Sequence, residues 1–296
     1  ALISSSPDPL LTLEYHRQFT HSLIFIPVGA LLVALVFWYA YKAFGRPLGF
    51  RRVYLYALLG CATSGLLDAC TSYGTHLLWP FTDGRIAWSI VPIFDPVFSL
   101  ILGTAVLFGL RQRRMLPARI GLLLAAVYLS IGWLQHLRAE DAIRTTIAQR
   151  GHDAAKLTVK PTMGNLLLWR SIYRSGEVYY IDAVRVGLGG PGKIYQGNTA
   201  PAFDVSRDLP ALSRASVLHR DILRFEFFSD GYLTLHPEDS GLLGDVRYAI
   251  LPTSTLPLWG IRLDMLHPEA HAQFETSRRM SRGDIDRFIA MLKGSD

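Results

Sequence analysis

The chain has 296 residues, 50% of them hydrophobic, and its mean hydropathy is +0.24. This composition is too apolar for an ordinary soluble protein of this length, so the sequence predicts segments that cross a membrane. The formal net charge of +6 and the pI near 9.4 would also suit a nucleic-acid-binding protein. The basic residues cluster in short loops between apolar runs, however, where membrane topology accounts for them. We therefore expect membrane lipid, and not nucleic acid, as a partner.

Four apolar runs predict helices that span the bilayer. The first has no charged residue over the twenty positions 22–41, about the length that crosses a hydrocarbon core of about 30 Å. Buried helices of a soluble protein are the alternative, but uncharged runs with charged ends recur four times, which favours a membrane. We predict a transmembrane domain at residues 1–139, with helices at about 22–43, 53–72, 91–110 and 117–136.

The basic loops predict the orientation of these helices. The loops between the first and second helices and between the third and fourth contain Lys42, Arg46, Arg51, Arg52, Arg111, Arg113, Arg114 and Arg119. The positive-inside rule places both loops in the cytoplasm. Residues 72–92 and everything after residue 136 then lie on the other side, which in a Gram-negative cell is the periplasm. We expect a multi-pass protein of the bacterial inner membrane with a periplasmic C-terminal domain.

Residues 140–296 differ in character and predict a small extracytoplasmic α+β domain. Charged and apolar residues mix there, with short runs that are typical of strands. Helices are predicted at about 209–224 and from the N-cap Ser281 to about 293. Strands are predicted at residues 156–161, 166–173, 177–186, 225–235, 246–251 and 259–263. The predicted fold class is an α-helical transmembrane bundle followed by a small soluble α+β domain.

Acidic and imidazole side chains lie at matching depths in the predicted helices. Asp68, Asp95 and His136 are sixteen, sixteen and seventeen residues from the cytoplasmic arginine that bounds their helix. At about 1.5 Å per residue, all three lie roughly 24 Å above the cytoplasmic boundary. The same rise places His21 about 7 Å higher. Four polar side chains from four helices are thus expected to converge near one plane.

These side chains need partners, because an ionised carboxylate within a membrane costs about 2.5–3.5 kcal/mol. An ion pair with Arg17 or Arg85 is one solution, and a divalent metal ion is another. His16 and His21, together with the carboxylates of the two aspartates, offer the mixture of nitrogen and oxygen ligands that suits Zn, Mn or Fe.

Three motifs carry a resemblance to a known family: HRQFTHSL at 16–23, LLDACTSYGTHLLWPF at 66–81 and FDP at 94–96. In these motifs the chain resembles the YdjM-like family of inner-membrane metal-dependent hydrolases. The resemblance implies that a divalent metal ion, which activates water for hydrolysis, is bound by His16, His21, Asp68 and Asp95.

The chain departs from the family pattern in two places. Ser64 stands where members of the family have a histidine, four residues before Asp68. Serine is a poorer ligand of divalent metals than imidazole, so this change removes a candidate ligand. An Asp-x-Asp motif is also expected further upstream of His16 than the present sequence reaches.

We therefore hypothesise a metal-dependent membrane hydrolase with its site at the periplasmic mouth of the bundle. Asp95 or His136 would accept the proton of the attacking water, and Arg17 would stabilise a developing oxyanion. The depth of the site suits a lipid or lipid-linked substrate. An accessory subunit of a membrane protein complex, with a degenerate metal site, is the alternative that Ser64 favours. An ion or proton pathway through the two aspartates is a third hypothesis.

Overall fold

The computed structural model of the protein describes residues 8–14, 19–45, 48–187, 189–277 and 281–295. Its contacts divide the chain into two compact units. The larger unit comprises residues 1–14 and 95–296, and the smaller unit comprises residues 15–94. The first described helix, α1 (Leu11–Glu14), belongs to the larger unit.

The smaller unit is built on two antiparallel apolar helices, α2 (Ile26–Ala43) and α3 (Phe50–Cys70). Proline in the first turn of α2 costs no hydrogen bond, because the first amides of a helix have no partner within it. The buried residues of α2 are Ala30 and Ala34. Small side chains one turn apart allow membrane helices to approach each other closely, which explains why this face of α2 is the packed one.

The larger unit contributes two further apolar helices, α4 (Pro96–Gln112) and α5 (Leu116–Gln149). Among the described residues, three helices are long and apolar enough to cross a membrane, namely α2, α3 and α5. Helix α4 is shorter, with 17 residues. Its N-cap is Asp95, whose carboxylate accepts a hydrogen bond from the Phe98 amide at 2.9 Å.

Helix α5 continues well past residue 136, where the fourth predicted helix ends. It has 34 residues, which corresponds to roughly 51 Å at 1.5 Å per residue and exceeds the thickness of a hydrocarbon core. The prediction of a helix end near residue 136 is therefore wrong. The physical reason is that Ala139, Ile143 and Ile147 recur at helical spacing and are buried against a sheet. The predicted domain boundary at residues 139/140 falls inside this continuous helix.

The sheet that packs on the end of α5 has four antiparallel strands in sequence order. The strands are β1 (Lys156–Pro161), β2 (Leu168–Ser175), β3 (Val178–Arg185) and β4 (Lys193–Pro201). Its core side chains, which join those of α5 in one cluster, are Val159, Trp169, Tyr173, Val184 and Val186.

The remainder of the larger unit contains a second antiparallel sheet and three helices. The sheet consists of β5 (Leu233–His236), β6 (Asp239–Asp245), β7 (Trp259–Arg262) and β8 (Phe274–Thr276), in that order. The helices are α6 (Val205–Asp208), α7 (Val217–Phe228) and α8 (Arg282–Lys293). A helical bundle followed by a small α+β domain, the predicted fold class, is thereby confirmed.

Several element predictions for this region need correction. Residues 225–228 end helix α7 and are not part of a strand. The predicted strand at 246–251 is a turn, because the Val246 and Leu251 carbonyls accept hydrogen bonds from the buried Arg170 guanidinium instead of from a neighbouring strand. Helix α8 follows the predicted N-cap Ser281, which forms a capping box with Asp284. Strands β4, β6 and β8 were not predicted.

We predict that Ile143→Ala destabilises the extramembrane sheet by about 2–5 kcal/mol, because it opens a cavity in the core that α5 shares with β1–β3. Thermal unfolding of the detergent-solubilised protein measures the effect. Thr145→Ala is the matched control, since Thr145 is exposed on the same turns of α5. Equal stability of the two variants would contradict the role of α5 as a core element.

Candidate functional site

At the end of the α2–α3 pair where α2 begins and α3 ends, His21 lies in a short 3-10 turn, Phe19–His21. The Ser22 hydroxyl closes this turn by donating to the Phe19 carbonyl at 2.7 Å. The amide of Leu23 donates to the Leu77 carbonyl at 2.9 Å, so the connection after α3 holds the chain in place. The backbone around His21 is thus fixed from both sides within the smaller unit.

His21 faces Asp68, a residue in the last turn of α3. The His21 Nε2 atom lies 3.1 Å from Asp68 Oδ2, and both side chains are partly buried. The other ring nitrogen, Nδ1, lies 2.9 Å from the Thr20 hydroxyl. A histidine held at one nitrogen by a hydroxyl and facing a carboxylate with the other has its ring orientation fixed. The predicted meeting of His21 and Asp68 is present in the structure.

The height predicted for His21 rested on a helical rise that does not apply at this residue. Helix α2 begins only at Ile26, and the separate turn before it brings His21 beside Gly65 of α3. A Cβ atom at position 65 would lie 2.9 Å from the His21 carbonyl oxygen. Only glycine leaves room for this close approach of the His21 backbone to α3. The approach brings the His21 side chain within reach of Asp68, which lies one turn after Gly65 on α3.

The connection after α3 folds back on the helix end. The Ala69 carbonyl accepts from the Trp88 amide at 2.7 Å, and the Cys70 carbonyl accepts from the Ile90 amide at 2.9 Å. Carbonyl groups in the last turn of a helix lack partners within the helix, so these bonds satisfy groups that would otherwise be costly beside a membrane. The Thr71 hydroxyl donates to the Asp68 main-chain carbonyl at 2.7 Å.

A second polar pair, His76 with Arg85, was not predicted. Arg85 Nε donates to His76 Nε2 at 3.1 Å, and His76 is 3% exposed. Burial, reinforced by the positive charge of Arg85, lowers the pKa of His76 below its ordinary value. The neutral imidazole is therefore the favoured form at pH 7. Arg85 had been considered only as a partner for the aspartates, and the signal for His76 was its place in the THLLWPF stretch.

Asp95 and His136 belong to the larger unit. One Asp95 oxygen caps α4, and the other accepts a hydrogen bond from the Tyr128 hydroxyl at 2.7 Å. A carboxylate has about four lone-pair sites, so these two bonds leave acceptor capacity. His136 Nε2 lies 3.5 Å from Glu140 Oε2, and its ring packs edge-on against Trp169. The structure gives each of these two residues a local partner in its own unit.

Part of the predicted site lies outside the described residues, because His16 and Arg17 fall between residues 14 and 19. Of the predicted residues, the structure pairs His21 with Asp68. The assembly of all six residues in one site stays a prediction.

The His21–Asp68 pair is compatible with a divalent metal ion in donor type and spacing. Two ligands at about 2.0–2.1 Å from a tetrahedral ion lie about 3.3 Å apart, close to the observed separation. Two protein donors are fewer than the three or four that bind such an ion tightly, so further ligands would be needed. Among the described residues, the one group of three metal-binding side chains close enough for a single ion is elsewhere: Asp8, Asp221 and His271.

Comparison with known proteins gives a family match for the helical part of the chain. A model of the YdjM inner membrane protein family matches residues 2–139. The match confirms the resemblance predicted from the three motifs, and it indicates a protein of the inner membrane. No curated protein and no solved structure matches the chain.

We predict that Gly65→Ala destabilises the protein by about 1–3 kcal/mol, because the new methyl group meets the His21 backbone. Gly60→Ala is the matched control on the same helix, since a Cβ atom there meets nothing within 4 Å. Thermal unfolding in detergent compares the two variants. If Gly65→Ala is as stable as Gly60→Ala, the close approach of His21 to α3 is not a constraint on the fold.

Proposed function

We propose that this chain, whose residues 2–139 match a model of the YdjM inner membrane protein family, is a metal-dependent hydrolase with its site at the His21–Asp68 pair. The observation that carries the proposal is the 3.1 Å contact between the imidazole and the carboxylate. This pair is held by the last turn of one apolar helix and the turn that precedes another. Polar groups at such a place are expensive unless they bind something.

The contacts of Arg224 support a topology with an even number of membrane crossings. Arg224 of α7 donates to Asp8 at 3.0 Å and to Glu14 at 2.5 Å, so the N-terminal segment and the C-terminal domain lie on one side of the membrane. An even number of spans must then lie between them. Since α2, α3 and α5 give three, we infer that α4 is the fourth. Its 17 residues cover roughly 25 Å, which suffices with modest adjustment of the bilayer.

The basic loops then orient the four proposed spans. The loop between α2 and α3 and the loop between α4 and α5 carry the arginines and lysines, and the positive-inside rule favours the cytoplasm for both. The His21–Asp68 pair and the α+β domain would face the periplasm. A site at this level is within reach of headgroups, so the proposed substrate is a lipid or a lipid-linked molecule.

The described residues have separate parts in the proposed mechanism. His21 and Asp68 would hold the metal ion, and the Thr20 hydroxyl would fix the orientation of the imidazole. When bound, a divalent ion supplies Lewis-acid activation of water near neutral pH. Asp95 or His136 is the proposed proton acceptor, and Arg17, outside the described residues, is the proposed oxyanion partner.

A non-catalytic accessory subunit is the second candidate. Ser64 lies one turn before Asp68 on α3 and is exposed. In this alternative, the His21–Asp68 pair only stabilises the helices, and the α+β domain binds another membrane protein. The two candidates differ in whether the purified chain retains a metal ion.

We predict that the full-length protein, purified in detergent, binds close to one transition-metal ion per chain. His21→Ala and Asp68→Asn should each weaken binding by more than about 100-fold, and Thr20→Val by about 10–100-fold, as the loss of an outer partner of a ligand does. Mass spectrometry of bound metal and competition with a chelator measure the effects. His267→Ala, in an exposed loop, is the control.

The hydrolase hypothesis is rejected if the wild-type protein binds no metal ion. A well-folded wild-type protein that binds no metal from a panel of Zn, Mn and Fe would leave the accessory subunit as the better account. Retention of metal in both His21→Ala and Asp68→Asn would instead exclude this pair as the site.

We also predict the sidedness of four positions from single cysteines introduced after Cys61 and Cys70 are replaced by serine. Thr82→Cys and Glu238→Cys should react with a membrane-impermeant maleimide in intact spheroplasts. Phe44→Cys and Gln112→Cys should react only after permeabilisation. All four positions are exposed in the structure. Labelling of Gln112→Cys from outside would show that α4 does not cross.

A further inference from the structure

One cluster of charged residues joins segments that are far apart in the chain. Arg224 of α7 donates to both Asp8 carboxylate oxygens, at 3.2 and 3.0 Å, and to Glu14 at 2.5 Å. It also donates to Asp221, one turn earlier on α7, at 2.8 Å. A single guanidinium therefore binds three carboxylates, two of which belong to the N-terminal segment 8–14.

Arg224 is held in place by contacts within the α+β domain. Asp221 is 1% exposed, and its second oxygen accepts hydrogen bonds from His271 Nδ1 and from the Ala272 amide, both at 2.9 Å. These contacts fix the carboxylate that holds Arg224 in place. A planar guanidinium fixed in this way presents its remaining donors in one orientation, which suits two-pronged binding of a carboxylate.

The N-terminal segment is shaped to meet this surface. Its Leu10 side chain is 1% exposed, and the Leu10 amide donates to Asp8 Oδ1 at 3.1 Å. Burial alone would raise the pKa of Asp8, but the hydrogen bond and positive charge of Arg224 leave it below the ordinary value. The carboxylate is therefore ionised at neutral pH, as the contact requires.

A metal ion is the other occupant that this cluster suggests, since ligand atoms of Asp8, Asp221 and His271 lie within 4.8 Å of one another. The guanidinium of Arg224 already supplies positive charge to both carboxylates. An additional divalent cation would have to share these oxygens with Arg224 at close range, which like-charge repulsion opposes. We therefore favour the arginine-centred arrangement.

We propose that Arg224 is a positioning residue that latches segment 8–14 to the α+β domain, and that metal binding by the protein is weaker when this latch is lost. The latch is defined as Arg224, Asp221 and His271 on the domain, with Asp8 and Glu14 on the segment. Glu14 precedes the proposed ligand His16 by two positions in the sequence, and His16 itself lies outside the described residues. The consequence for metal binding rests on the proposed function, whereas the latch itself does not.

The experiment measures hydrogen–deuterium exchange of the full-length protein in nanodiscs, in a peptide that covers residues 8–14. Arg224→Gln should make these amides exchange about tenfold faster or more, as expected for the loss of a charged hydrogen bond. Arg224→Lys keeps the charge but loses the planar guanidinium, so its exchange rate should lie between those of the wild type and Arg224→Gln. Arg220→Gln, an exposed arginine one turn away on α7, should leave the peptide unchanged.

Two features separate a local effect from a failure to fold. Peptides from β2 and β3 should exchange at the wild-type rate in every variant. Glu14→Gln is a milder change on the N-terminal segment, and it should also make the amides of residues 8–14 exchange faster. Unchanged exchange of residues 8–14 in Arg224→Gln, with an intact domain, would overturn the latch whatever the metal content is.

A second measurement tests the link to the site. Metal affinity should fall by about tenfold in Arg224→Gln and recover in part in Arg224→Lys, as for an outer partner of a ligand. Faster exchange with unchanged affinity would overturn the positioning role. A metal-free wild type would reject the proposed function, and the exchange measurement would still decide the latch. Metal kept in His21→Ala but lost in Asp221→Asn would place a cation within the cluster and overturn the arginine-centred latch.

Discussion

Helix α5 is one continuous helix that combines an apolar first half with a second half that packs in the core of a sheet. The larger unit is organised around this helix. Its first half is apolar enough to cross a membrane, while Ile143 and Ile147 form part of the sheet core. At the junction, the Gln135 amide donates to the Val186 carbonyl at 3.2 Å, and Arg138 donates to the Gly187 carbonyl at 2.6 Å. These bonds satisfy backbone groups close to lipid, so the sheet joins the helix without a flexible linker.

Because the α+β domain is joined to α5 without a flexible linker, it can hold other segments of the larger unit in fixed positions. The turn between β1 and β2 also comes near the start of α4, since a Cβ atom added at Gly164 would lie 3.7 Å from Cδ of Pro96. The domain thus packs on α5, lies close to the start of α4 and binds segment 8–14 through Arg224. Its proposed contribution is to hold these chain segments in place.

The sequence predicted the apolar helices well because each has an uninterrupted uncharged run, and the bilayer requires such runs. It could not predict strand β4, in which only one residue is buried and exposure does not alternate along the strand. The meeting of His21 with Asp68 followed from depth, but its geometry depends on a turn that periodicity does not reveal. The contact of Arg224 with Asp8 spans 216 residues along the chain and leaves no local pattern at all.

Two of the histidine–carboxylate contacts among the described residues, His271–Asp221 and His21–Asp68, show why similar residues are assigned different roles. In the latch, buried Asp221 accepts hydrogen bonds from an arginine, an amide and His271, which use three of about four acceptor sites and leave little capacity to bind a substrate or an ion. Asp68 and His21 are only partly buried, and the supporting contact of His21 comes from a neutral hydroxyl. A neutral hydroxyl orients the ring without adding positive charge. The same chemistry therefore serves positioning at α7 and is proposed to serve metal binding at the end of α3.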